Sequence, residues 1–217
     1  MKRSLLVAIL LLFCIGAASA QMQFGGGAQA GIDFASFPKP IDQIYGTGYG
    51  FGGHGDLLFM KYLGVRLSID YRTFSSDKGK LAAAYASLFT FNGVQADPSQ
   101  TSVTGLNTSD LSFMLSGIGR LPTGSIVTPY ALLGLGLHVV SASNPTISYQ
   151  GQDITQQLLQ QQIIMNPTSA TKFGIHFGAG GELSLGMVKL FLEVKYVVVF
   201  TQNNSTSFIP IEVGITL

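Results

Sequence analysis

The side chains best suited to chemistry in this chain are three histidines, His54, His138 and His176. A neutral imidazole ligates transition metals and serves as a general base near neutral pH. A metal site would need the three rings to converge. A hydrolase would need one ring in reach of a hydroxyl and a carboxylate. His138 with Ser141 comes nearest, but three residues apart on an alternating segment they fall on opposite faces, and no acidic partner is evident. Gly50-Phe-Gly-Gly-His-Gly55 matches the string of a dinucleotide fingerprint. That fingerprint works only where a strand gives way to a helix, and here it lies inside a strand pattern. These residues predict no catalytic, metal or cofactor site, and the histidines read as neutral hydrogen-bonding groups.

A second set is more coherent. Asp33, Asp56, Arg66, Asp70, Glu182, Glu193, Lys195 and Glu212 all fall on the polar side of segments whose other side is apolar. The segments show a period of two, the signature of a strand with two unlike faces. They are 24–34, 49–59, 63–71, 111–119, 129–139, 173–183, 190–200 and 209–217. In 63–71, for example, Leu63, Val65, Leu67, Ile69 and Tyr71 alternate with Gly64, Arg66, Ser68 and Asp70. Eight strands of roughly ten residues match what crosses a bilayer at a tilt. No charge interrupts any apolar face, so that face meets lipid and the polar face points inward. The predicted fold is therefore an all-β, closed, antiparallel up-and-down transmembrane barrel, and the eight charged residues form a network in its lumen. Asp56 and Arg66 sit five positions either side of Lys61, which sets them opposite each other across a hairpin. Lys195 and Glu212 should lie close on the last hairpin. Pro210 is an oddity there, because it removes a ladder donor.

Residues 1–20 read as a signal peptide: Met-Lys-Arg, an apolar run from Leu5 to Ile15, and Ala18-Ser-Ala20. The barrel domain then covers 21–217. The single cysteine, Cys14, lies within the leader, and bulky Phe13 before it is a poor lipobox residue. The segment after the leader thus has no thiol for disulfides, zinc or nucleophilic catalysis. A formal net charge of +1 argues against nucleic acid as a partner. Mean hydropathy is positive, yet no stretch after the leader has the ~20 apolar residues of a spanning helix.

Connections alternate in length. Those around Lys61, at 120–128 and at 184–189 are short; 35–48, 72–110, 140–172 and 201–208 are mostly longer. Short periplasmic turns and long extracellular loops are the expected asymmetry. Phe34, Tyr49, Tyr71, Phe200 and Phe208 are placed at the outer interface, Phe59 and Tyr62 at the inner one. Loop 72–110 holds an expected helix over 81–89 with Asp77 near its start, and loop 140–172 an expected helix over 154–165 with Asp153 as its cap. Both loops carry apolar residues that a solvated linker does not need, including Leu81, Tyr85, Leu158 and Ile163. They either pack over the barrel mouth or present a binding surface.

The strand pattern, with Thr128-Pro-Tyr-Ala-Leu-Leu-Gly-Leu-Gly-Leu137, Leu192-Glu-Val-Lys-Tyr196 and the alternation from Ile209 to Leu217, resembles the small eight-stranded outer-membrane barrels typified by the OmpA transmembrane domain and OmpX. That resemblance implies residence in the cell outer membrane, contact with outer-membrane lipid and insertion by the barrel-assembly machinery. A departure is the non-aromatic terminus, Leu217. The function expected is a structural, adhesive or envelope-integrity role carried by loops 72–110 and 140–172, toward an extracellular or host-surface partner. A barrel of this size is filled by side chains, which argues against a general pore. The alternatives are a lipid-modifying outer-membrane enzyme and a secreted lipocalin-like carrier.

Overall fold

The computed structural model describes residues 22–36, 45–59, 62–87, 90–91, 94–164, 168–201 and 205–217. The expected signal peptide at 1–20 with Cys14, Lys61 and the last residues of both expected loop helices, 88–89 and 165, lie outside them.

Eight strands close into a barrel: β1 (Gln23–Ser36), β2 (Tyr45–Leu58), β3 (Leu63–Ser76), β7 (Thr108–Arg120), β8 (Val127–Ala142), β11 (Ala170–Leu185), β12 (Val188–Phe200) and β13 (Ser205–Thr216). Each pairs antiparallel with its neighbours, and β13 closes against β1. Closure gives every barrel strand a partner on both edges, a necessity where no water reaches the backbone. Gly26 and Leu217 exchange backbone hydrogen bonds, so the first and last strands meet at the end that carries the short turns.

Alternation decides which side chains face out. Leu67, Phe51, Leu133 and Phe177 lie more than half exposed around the outer wall, while Arg66, Asp70, His138 and Glu193 are buried inside. This inverts the soluble pattern and fits a wall solvated by hydrocarbon. The ladder between β12 and β13 runs from Lys189↔Thr216 to Val194↔Ile211 and resumes at Val197↔Phe208. Pro210 sits in that gap and lacks the N–H to fill it.

The strands run longer than the expected ten residues, up to sixteen in β8 and β11. Sixteen tilted residues overshoot the ~25 Å apolar band, so the sheet continues outward past the membrane. Residues 72–76, 108–110, 140–142 and 170–172, expected in loops, are barrel strand instead. Two further expectations are corrected. Phe208 is not at the lipid interface: it shares the inward parity of Glu212 and is buried in the lumen, edge-on to Phe74 at 5.5 Å. Nor is the lumen polar throughout, because Phe74, Val197, Val199 and Phe208 pack together in its outer part.

Above the barrel the two long connections build a compact cap. The first contains helix α1 (Lys78–Ala86), the short strands β4 (Thr90–Phe91) and β5 (Val94–Gln95), and strand β6 (Thr101–Thr104). The second contains β9 (Thr146–Tyr149), β10 (Gln152–Asp153) and helix α2 (Thr155–Gln160). Strands β6, β9 and β10 form one antiparallel sheet spanning both connections. α2 is shorter than expected: Gln162 has φ of 57°, which no helix continues through.

Candidate functional site

The parity that exposes leucine to lipid turns every second residue of a strand toward the lumen axis. The structure brings the eight charged residues of the sequence reading into that space, all buried. Asp56 and Arg66 are directly opposite in register and bonded twice, Nε to Oδ1 at 2.7 Å and Nη2 to Oδ2 at 2.8 Å. Such a fork is the strongest carboxylate geometry available to arginine. Arg66 also reaches Glu193 at 3.0 Å. On the last hairpin the register sets Glu193 against Glu212. Lys195 stands diagonal to Glu212 and bridges the two like charges, 3.1 Å from Glu193 and 2.6 Å from Glu212.

Three charged residues in this space escaped the sequence reading because they fell in assumed loops and turns. Arg72 lies 2.6 Å from Glu212, 3.3 Å from Asp33 and 3.5 Å from Asp70. Arg120 lies 2.6 Å from Glu182 and 3.7 Å from Asp56. Asp110 pairs with His138. Each continues the inward parity of its own strand, so extending the period by one or two residues would have found them. With Arg72 and Arg120 in place the ion pairs form one unbroken path: Glu182, Arg120, Asp56, Arg66, Glu193, Lys195, Glu212, Arg72, then Asp33 and Asp70. Tyr130 donates to Glu193 at 2.7 Å, and Gln29 donates to Asp70 at 2.6 Å. Burial this deep is costly without a partner, and each of these side chains has at least one.

The histidines do not converge. His54 donates from Nδ1 to the Gln29 side-chain carbonyl at 2.6 Å and accepts from Thr216 Oγ1 at 3.0 Å. His176 Nε2 lies 2.8 Å from Ser116 Oγ. His138 donates from Nδ1 to Asp110 Oδ2 at 2.8 Å, so an acidic partner exists after all, brought from the adjacent strand β7. Ser141 does not join them; its hydroxyl bonds that of Ser169. Each ring occupies space that only a glycine leaves open. A Cβ added at Gly27, Gly174 or Gly134 would lie 2.7 Å from the ring of His54, His138 or His176 respectively. That is why the polar faces are so rich in glycine.

The cap follows the opposite rule. Leu81, Ala82, Ala86, Ala96 and Val103 from the first connection close on Ile147, Ile154, Leu158 and Ile164 from the second, all buried. Asp77 caps α1, accepting from the N–H of Gly79 at 3.0 Å and of Lys80 at 3.1 Å. The Lys80 amide in particular holds its carboxyl below the usual aspartate range. Asp153 is not the expected cap: Ile154 takes that position in α2 and no side chain caps it, while Asp153, one residue earlier, accepts from the Thr155 amide at 2.9 Å, and the Thr155 hydroxyl and amide lower its carboxyl likewise.

Residues 5–209 match the model of a family described as outer membrane protein beta-barrel domain. Among solved structures, neisserial surface protein A is 17% identical, with a TM-score of 0.54 covering 90% of this chain and 97% of that one. A major outer membrane protein from Thermus thermophilus is 13% identical, with a TM-score of 0.51 over 89% of this chain and 98% of that one. Both likenesses concern the fold. No curated protein matches the sequence.

Proposed function

Because the chain belongs to the outer membrane protein beta-barrel domain family and is an integral protein of the cell outer membrane, we propose that it is a surface-display barrel. Its adhesive or envelope-integrity role is exercised by the cap, the parts of loops 72–110 and 140–172 that lie beyond the barrel strands, 77–107 and 143–169, toward an extracellular or host-surface partner. One observation carries this reading: the two loops share a sheet and a hydrophobic core of their own, on strands that overshoot the membrane. A loop that merely joined strands would need neither. Rigid scaffolds commonly place recognition on such connections.

The lumen supports the same division of labour. Its path of alternating charges occupies the interior beneath an apolar outer part, so the body of the molecule supplies anchorage. A secreted carrier would have the reverse arrangement, with apolar residues inside and charge outside. Contact with lipid along the apolar wall and insertion by the barrel-assembly machinery belong to the same proposal.

The test is to replace 77–107 and 143–169 with short Gly/Ser turns, leaving the barrel strands whole. We expect the trimmed protein to remain heat-modifiable on gels and embedded in the outer membrane, while cell adhesion or resistance to large hydrophobic antibiotics drops to that of the deletion strain. Retention of the full phenotype by the loopless barrel would place the function elsewhere.

A further inference from the structure

In the outer part of the barrel interior lies a cavity of about 190 Å³. Its floor is apolar, made by Phe74, Val199 and Phe208, all buried. The Arg72 guanidinium lies under Phe208, 5.6 Å from its ring centre. The cavity is thus a blind cup above the charge path. Thr168 and Thr201, both exposed, lie at its rim.

Two side chains in its wall are not accounted for by the fold. Asp110 is only 3% exposed. Its Oδ2 accepts a hydrogen bond from His138 Nδ1, but its Oδ1 has no hydrogen-bond partner among the described residues. A buried carboxylate oxygen left without a donor costs free energy unless something fills the place. Lys172 is half-buried in the same cavity and makes no ion pair among the described residues. Strand β8 separates the two: Asp110 faces Val140 from one side, and Lys172 faces His138 from the other. The opposite charges therefore flank β8 two strands apart, with no ion pair between them among the described residues.

We propose that this cup binds a small zwitterion with an apolar body, of the class of the apolar α-amino acids. The Asp110 carboxyl, whose Oδ1 is closed off in this structure, turns toward the cup to accept from the ligand's ammonium, the ligand's carboxylate accepts from Lys172, and its side chain rests on Phe74, Val199 and Phe208. Size agrees, since an apolar cavity of about 150 Å³ accepts benzene. The charges also discriminate. A plain fatty acid would bring its carboxylate beside Asp110, and a plain amine would leave Lys172 unanswered. The site is separate from the cap surface to which adhesion is assigned, so either proposal can fail alone.

The experiment uses the full mature chain, refolded in detergent micelles, with L-phenylalanine, phenethylamine and phenylacetate as probes in calorimetric or ligand-observed NMR titrations. We expect L-phenylalanine to bind at millimolar or lower concentration and both single-charge analogues to bind about tenfold or more weakly. Lys172→Met and Asp110→Asn should each weaken L-phenylalanine by a similar factor. Heat-modifiability reports whether each variant has folded. Ala142 lines the cavity at the strand end, so Ala142→Phe fills the cup without touching either charge and should abolish binding in a folded barrel. The proposal is overturned if L-phenylalanine does not bind, if the three probes bind alike, or if binding survives Ala142→Phe.

Discussion

The lumen and the cap are built from one chain on opposite principles. Inside the barrel, where the surrounding wall faces lipid, the packing groups are charged and hydrogen-bonded. Outside the membrane, where water is plentiful, the packing groups are Leu81, Val103, Ile147 and Leu158. The difference follows from where each region can hide its apolar surface. Barrel strands turn theirs toward the bilayer and keep polar residues for the inside, which must then satisfy one another. Loops have no bilayer and must make a conventional core. The barrel is therefore held by directional bonds between a few specific partners, and the cap by non-directional burial, which tolerates substitution more gracefully.

The comparison breaks hardest at Arg72. It is buried against Glu212, Asp33 and Ser112, so Arg72→Ala leaves carboxylates stranded and should cost about 3–5 kcal/mol, read by urea unfolding in lipid vesicles. Arg66→Ala should cost a similar amount, and much of it should return when Asp56→Ala is added. Additive single and double mutants would show that the lumen is not a coupled network.

In the cap, Ile147→Ala should cost about 2–5 kcal/mol of local stability by opening a cavity. Limited proteolysis should cut within 77–107 or 143–169 while the barrel stays heat-modifiable. If the barrel instead unfolds with the cap, the two regions are one cooperative unit.

On the outer wall, Leu135→Arg near the middle of β8 should cost about 2–4 kcal/mol, and Leu185→Arg at the strand end about 0–1, both by vesicle unfolding. Equal costs at the two depths would contradict the placement of the bilayer.

The smallest effect concerns pH. Asp77 and Asp153 have carboxyls held low in the folded state by bonds to backbone and hydroxyl donors. Their contribution is present above the unfolded aspartate pKa and disappears as pH falls through the lower, folded one. Proteolysis of the cap should therefore speed up slightly only in strongly acid conditions, and Asp77→Asn should blunt that dependence.

Alternation in the sequence was enough to define the eight strands, their two faces and the pairing of Asp56 with Arg66, because a period of two fixes facing and a short turn fixes register. It failed at strand ends. Arg72, Asp110 and Arg120 lie where polar residues follow an apolar run, and a charged residue there reads equally well as loop. Phe208 was misplaced for a related reason: an aromatic near a strand end suits a membrane interface, and only parity says otherwise. The cap's two helices left local signals in Asp77 and Asp153, but nothing local announces that β6 pairs with β9.

What the sequence determined by itself is the class of the molecule: which faces meet lipid, that the sheet must close, and that charges collect inside. Those follow from neighbours along one strand. Only the tertiary structure decided which charges touch, that Arg72 and Arg120 join the pairs into a single path, that Asp110 meets His138, and that Lys172 faces an apolar cup. Barrel closure juxtaposes residues far apart in the chain, 140 positions for Arg72 and Glu212 and 162 for His54 and Thr216. Contacts at that separation depend on the register of every intervening strand, which no local pattern encodes.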